Sequence, residues 1–178
     1  MEYTTLSNGV QMPLEGFGVF QIHDLDECER VVLDAIDTGY RMIDTAASYG
    51  NETAVGKAIA KTGVNRADLF IATKLWVTDA SYEGAKAAIR RSMDNLGVDY
   101  IDLYLIHQAM GDYIGAWRAI TEAYKEGKIR AIGVCNFYPH RLADFCETVD
   151  QLPMVNQVEL HPFFQQENAL SLMREYGV

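Results

Sequence analysis

The stretch GYRMIDTAASYGNE, Gly39 to Glu52, carries the strongest indication of the fold. It begins with the run Arg41-Met42-Ile43, which is typical of a buried strand. The sequence then becomes polar at Asp44, and Tyr49 lies in the predicted loop beyond. Ionisable side chains just past the end of a strand are more typical of a site than of a core, because loops at strand ends carry most binding and catalytic groups.

The rest of the chain repeats this unit of strand, polar strand end and helix. Asn8-Gly9 first predicts a tight turn in an N-terminal β-hairpin. The predicted strands are Leu14–Phe20, Arg41–Thr45, Leu69–Thr73, Tyr100–Ile106, Ala131–Val134 and Val155–Leu160. The predicted helices are Asp26–Thr38, Glu52–Thr62, Ser81–Leu96, Tyr113–Glu126, His140–Thr148 and Asn168–Tyr176. Glycine follows several of these helices, as is common at helix ends.

This alternation predicts the α/β class. Several strands are nearly continuous apolar runs, which suits parallel strands buried on both faces. Repeated strand-helix units give either a closed barrel or an open doubly wound sheet. No linker or change of composition divides the chain, so we expect a single domain over residues 1–178.

Composition excludes several classes of function. The formal net charge of -10 argues against binding to nucleic acid or to an anionic membrane surface. No apolar run approaches the roughly 20 residues of a membrane-spanning helix. Cys28, Cys135 and Cys146 are scattered without a CxxC pair, so neither a disulfide framework nor a metal site is predicted. Free thiols and the polar residues after Met1 favour a cytoplasmic protein.

Polar side chains stand at the ends of successive predicted strands. They are Asp44, Lys74, His107, Cys135 with Asn136, and, in or beyond the sixth strand, Gln157, Glu159 and His161. Each has an ordinary structural explanation if taken singly, such as a loop cap for Asp44 or a satisfied core histidine for His107. Independent accidents at five successive strand ends are improbable, however. In a parallel barrel these ends share one face, where active sites lie.

Aspartate, tyrosine, lysine and histidine together can perform a specific reaction. A lysine cation near a phenol lowers the tyrosine pKa, which would make Tyr49 a usable general acid. Asp44 is the natural partner for Lys74 on the neighbouring strand, and His107 could orient an incoming oxygen. Such a set could protonate a carbonyl oxygen while hydride arrives at carbon. Because none of these side chains supplies hydride, a cofactor must do so.

The chain resembles the aldo-keto reductase family. The matching stretches are GFGVFQ (Gly16–Gln21), GYRMIDTAASYGNE (Gly39–Glu52), ATKLW (Ala72–Trp76), DLYLIH (Asp102–His107), IGVCNF (Ile132–Phe137) and NQVELHP (Asn156–Pro162). The resemblance implies a (β/α)8 TIM-type barrel, incomplete here with about six of eight units plus the hairpin. It also implies reduction of aldehydes and ketones with NADPH, and less often NADH. The short loops are similar to those of microbial 2,5-diketo-gluconate reductases.

The resemblance also assigns site residues. The implied catalytic tetrad is Asp44, Tyr49, Lys74 and His107, with Tyr49 as proton donor. The implied cofactor-binding residues are Gly16, Phe17, Gly18, Asp44, Cys135, Asn136 and Gln157. The implied substrate pocket consists of Phe20, Trp76, His107 and Gln108. Cys135 stands where the family usually has serine, and Gln108 stands where many members have tryptophan.

The main departure from the family is at the C-terminus. Residues corresponding to the seventh and eighth strands are absent before Val178, and with them much of the cofactor clamp. We therefore expect a truncated member that could self-associate through unclosed barrel edges. Two alternatives remain open: a catalytically inactive remnant or regulatory module, and a Schiff-base aldolase with Lys74 as nucleophile.

Overall fold

Six parallel strands, each followed by a helix, form the body of the molecule in a computed structural model that describes residues 1–178. The parallel strands are β3 (Gly16–Gly18), β4 (Met42–Asp44), β5 (Phe70–Leu75), β6 (Ile101–Ile106), β7 (Ile129–Cys135) and β8 (Asn156–Gln157). The helices are α1 (Leu25–Thr38), α2 (Glu52–Lys61), α3 (Tyr82–Leu96), α4 (Tyr113–Lys125), α5 (Pro139–Thr148) and α6 (Glu167–Tyr176). The hairpin of β1 (Tyr3–Thr5) and β2 (Gln11–Pro13) precedes them.

The sheet order β3-β4-β5-β6-β7-β8 confirms the predicted partial (β/α)8 barrel. Each strand pairs in parallel with the next along the chain, so all carboxyl ends meet at one face. In the register, Asp44 pairs with Gly18 on one side and Ala72 on the other. The strand ends singled out in the sequence therefore lie side by side.

Two predicted strands, Leu14–Phe20 and Val155–Leu160, are much longer than the observed ones. The predicted strand Val155–Leu160 is wrong except at Asn156–Gln157, the observed β8. Beyond it Leu160 is exposed, and His161 pairs with Phe164 in a turn outside the sheet. Of the predicted strand Leu14–Phe20, only Gly16–Gly18 is observed as a strand, and Phe20 is exposed. Both segments belong to the outermost strands, which pair with a neighbouring strand on one side only. Each further strand residue would therefore gain backbone hydrogen bonds on that side alone.

Strand alternation sorts the β5 side chains between two environments. Ile71, Thr73 and Leu75 share one face, and Thr73 there donates a hydrogen bond to Glu52 at the start of α2, at 2.7 Å. Lys74 faces the opposite side, towards the inside of the partial barrel. The core lies between the sheet and the helices, and it includes fully buried Trp117 on α4.

The three cysteines are buried and form no disulfide. None of the helices has the length and apolar character needed to cross a membrane. The cytoplasmic location stays a prediction.

Candidate functional site

A cleft of about 870 Å³ opens at the carboxyl ends of the strands. The predicted site residues that line it are Gly16, Gly18, Phe20, Asp44, Tyr49, Trp76, His107, Gln108, Cys135, Asn136 and Gln157. Two predicted site residues, Phe17 and Lys74, do not line the cleft. The Phe17 ring packs edge-on against Tyr40, with centroids 5.9 Å apart, and Lys74 is buried beneath the cleft. The fold thus brings together side chains from six strands or strand ends, as the parallel register requires.

Lys74 and Asp44 form the predicted ion pair between neighbouring strands. Lys74 Nζ donates to Asp44 Oδ1 at 2.5 Å and to the Thr45 carbonyl oxygen at 2.9 Å. Lys74 is only 1% exposed, so its cation depends on these partners to offset desolvation. Lys74 does not line the cleft, and its amine is held as a buried cation by these partners, which disfavours the Schiff-base alternative.

Tyr49 ends a 3-10 turn, Ala47–Tyr49, directly after β4. Lys74 Nζ lies 5.2 Å from the centre of its ring. Burial, followed by the charge of Asp44, raises the Tyr49 pKa to about 12. The predicted lowering of this pKa by Lys74 is therefore wrong for this structure. The Lys74 cation is already bound by Asp44, whose negative charge also acts on the phenol. Tyr49 stays protonated at neutral pH.

His107 follows β6 and is nearly buried. Its ring packs edge-to-face against Trp76 and Tyr49, with ring centroids 5.1 and 5.6 Å away, respectively. Burial and the Lys74 charge lower the pKa of His107 to about 4, against the opposing effect of Asp44. The imidazole is therefore neutral at physiological pH, and one of its nitrogens carries the only N–H.

Ser48 is a site residue that sequence analysis missed. It lines the cleft, and its Oγ lies 3.3 Å from Nδ1 of His107. The available signal was its place beside Tyr49 in the quoted stretch. Contacts from the N-terminal segment were also missed: Met12, Pro13 and Leu14 line the cleft. No local pattern reveals these, because they depend on how the hairpin packs.

Amide and thiol groups converge beside Asp44. Asn136, at a left-handed φ of 60°, donates through Nδ2 to the His107 carbonyl oxygen at 3.2 Å and to Cys135 Sγ at 3.1 Å. Gln157 Nε2 donates to Asp44 Oδ2 at 3.0 Å, and the Cys135 thiol donates to Gln157 Oε1 at 3.7 Å. Burial raises the Cys135 pKa to about 11, so the thiol is neutral. This mixed set of donors and acceptors suits the carboxamide of a nicotinamide ring.

Phe20, Trp76 and Gln108 form the outer part of the cleft. The Phe20 ring lies 4.9 Å from the Tyr49 ring, and it is itself largely exposed. Glu159 also lines the cleft, whereas His161 does not. The His161 ring instead contacts the Glu159 carboxylate at 2.9 Å.

Comparison with curated proteins identifies the family. The model of the Aldo/keto reductase family matches residues 16–178. The uncharacterized oxidoreductase YtbE of Bacillus subtilis is 48% identical over 179 residues, covering 98% of this chain and 64% of that protein. Glyoxal reductase of Bacillus subtilis is 47% identical, covering 97% of this chain and 63% of that protein. The chain thus spans a little under two thirds of the length of these relatives.

Solved structures give the same result. An aldo/keto reductase from Brucella melitensis has a TM-score of 0.96 at 41% identity, covering 99% of this chain and 68% of that chain. A Bombyx mori aldo-keto reductase in complex with NADP has a TM-score of 0.92 at 33% identity, covering 99% and 64%. A structure described as a candidate 2,5-diketo-D-gluconic acid reductase B has a TM-score of 0.93 at 36% identity, covering 100% and 64%, in line with the predicted resemblance. The chain belongs to the aldo-keto reductase family.

Proposed function

We propose that the protein is an NADPH-dependent oxidoreductase that reduces aldehyde or ketone carbonyls to alcohols, with Tyr49 as proton donor. The observation that carries this proposal is the convergence of Asp44, Tyr49 and His107 at one cleft, with Lys74 buried beneath it and paired with Asp44. The glyoxal reductase relative supports a carbonyl as the reacting group.

The side chains divide the work of proton transfer. Tyr49 lines the cleft as a neutral phenol, so it holds the proton that the carbonyl oxygen must gain. Transfer of this proton leaves a phenolate, and the nearby Lys74 cation, whose Nζ lies 5.2 Å from the centre of the Tyr49 ring, favours this charged form. Asp44 keeps Lys74 in place, and neutral His107 donates an N–H to the carbonyl oxygen and fixes its position. Tyr49 then regains a proton from solvent.

The cofactor supplies hydride to the carbonyl carbon when it is bound. Cys135, Asn136 and Gln157 would hold its carboxamide, and the Gly16–Gly18 backbone would lie beside it. At Gly18 no heavy atom lies within 4 Å of where a Cβ would be, so a ligand has free access to this backbone. We propose NADPH in preference to NADH, with the NADP complex of the Bombyx mori relative as support. Phe20, Trp76 and Gln108 would flank the substrate.

The test is NADPH oxidation by the 178-residue chain with benzaldehyde, beside Tyr49→Phe. We expect the substitution to lower kcat/KM by about 100-fold or more, since it removes the general acid and leaves the ring. Tyr138→Phe is the matched control, because Tyr138 is an exposed tyrosine that does not line the cleft.

The inactive-module alternative predicts a different result. The wild-type chain is first shown to be folded by circular dichroism. The reductase proposal is refuted if this folded chain does not oxidise NADPH and its tryptophan fluorescence is not quenched when NADPH is added. Binding without turnover would leave the chain as a cofactor-binding module.

A further inference from the structure

The His107 ring forms a single hydrogen bond with the protein, and its partner is Ser48. Ser48 Oγ lies 3.3 Å from Nδ1, while the ring's other close neighbours are the aromatic groups of Trp76 and Tyr49. No protein atom bonds to Nε2. The Ser48 hydroxyl likewise has no other hydrogen bond to the protein. Each group is therefore the only protein partner of the other.

A neutral imidazole has two tautomers, and the hydrogen bond made by one nitrogen decides which nitrogen carries the proton. If the Ser48 hydroxyl donates to Nδ1, the proton resides on Nε2, which is then a donor without a protein partner on a residue that lines the cleft. If Nδ1–H donates to Ser48 Oγ, Nε2 becomes an acceptor and cannot bond a carbonyl oxygen. Ser48 is exposed, so its oxygen can accept from water while its hydrogen is donated to the ring.

We propose that Ser48 is a positioning residue that holds His107 in the tautomer with the proton on Nε2. This inference rests on the proposed function, because a carbonyl oxygen needs a donor on that nitrogen. Ser48 and Tyr49 are adjacent in one 3-10 turn. The same turn thus sets both the proton donor and the proton of the orienting imidazole.

The first test is independent of turnover. Nitrogen-15 NMR of histidine-labelled protein distinguishes the two tautomers, and His107→Gln identifies the His107 signals among those of the four histidines. We expect wild type and Ser48→Thr to show predominantly Nε2–H. Ser48→Ala, which lacks the hydroxyl, is expected to shift towards a mixture. A wild-type ring with Nδ1–H, or an unchanged tautomer in Ser48→Ala, would overturn the inference.

The second test measures catalysis with NADPH and benzaldehyde. We expect Ser48→Ala to lower kcat/KM by about tenfold, the usual worth of one hydrogen bond. Ser48→Thr restores the hydroxyl and is expected to recover most of that loss, with the NADPH dissociation constant the same in both variants. If Tyr49→Phe is inactive while Ser48→Ala equals wild type, the inference fails and the proposed function stands. If wild type shows no turnover, the tautomer measurement decides the inference by itself.

Discussion

At the scale of single residues, His107 makes the stability of the fold depend on pH. Its pKa in the folded chain is about 4, against about 6.5 for a free histidine. Well above pH 6.5 the ring is neutral in both the folded and the unfolded chain, so it does not change the free energy of unfolding. As the pH falls from 6.5 towards 4, the unfolded chain takes up the proton first, which favours unfolding. The folded state therefore loses stability across this range, by about 3 kcal/mol at most.

We expect His107→Gln to flatten the fall in the free energy of unfolding between pH 6.5 and 4, since glutamine does not titrate. Urea unfolding at several pH values measures this slope. His140→Gln is the control, because His140 is exposed on α5 and outside the cleft. Equal slopes in wild type and His107→Gln would show that the ring is not held neutral by the fold.

At the scale of the elements, Asp102 joins three strands near their amino ends. It is fully buried on β6 and accepts a hydrogen bond from the Ile71 N–H of β5 at 2.9 Å. Its carboxylate also pairs with Arg130 of β7 and with Arg66, each at 2.6 Å. One backbone N–H and two guanidinium groups therefore offset the cost of burying this carboxylate.

Asp102→Asn should lower the free energy of unfolding by about 3 kcal/mol, because it leaves two guanidinium groups without their counter-charge. Urea denaturation gives this value directly. Asp99→Asn makes the same chemical change at an exposed aspartate that has no salt bridge, and it should cost less than about 0.5 kcal/mol. A loss in Asp102→Asn as small as in the control would contradict this account.

Gly133 lets β6, β7 and β8 approach closely. A Cβ there would lie 2.4 Å from the Val155 carbonyl oxygen and 2.8 Å from Leu105 Cδ2. That carbonyl also accepts the Val134 N–H in the strand pairing. Gly133→Ala should therefore destabilise the chain by about 2 kcal/mol through overpacking. Gly63→Ala, where a Cβ meets nothing within 4 Å, is the control in thermal unfolding. Equal melting temperatures for the two variants would refute the steric argument.

These elements also show how much the sequence could predict. Local signals were sufficient for the helices: Ser81 caps the start of α3, and Gly39 and Gly97 end α1 and α3 in the left-handed conformation. The Asp44–Lys74 pair followed from parallel strands with aligned ends. The direction of the Tyr49 pKa shift did not follow, because it depends on how deeply the phenol is buried and on the charge of Asp44 beside it. The Ser48–His107 contact did not either, since it joins residues 59 positions apart.

At the scale of the whole molecule, open sheet edges and net charge act in opposite directions. β3 and β8 each have a strand neighbour on one side only, so their outer backbone groups can pair with another chain. Phe163, 96% exposed, and Leu160 add apolar surface just beyond β8. The formal net charge of -10 makes two copies repel each other. Salt screens this repulsion, and it leaves the apolar and backbone contacts largely intact.

We therefore expect self-association that increases with salt. Sedimentation velocity at about 20 mM and about 300 mM NaCl should show a larger, concentration-dependent sedimentation coefficient at the higher salt. Phe163→Glu should reduce this increase, because it removes apolar surface and adds a negative charge beside β8. Tyr3→Glu adds the same charge in the hairpin and serves as the control. A coefficient independent of concentration at both salts would mean that the edges are protected without a partner. A decrease with salt would mean that charge, and not apolar contact, holds the copies together.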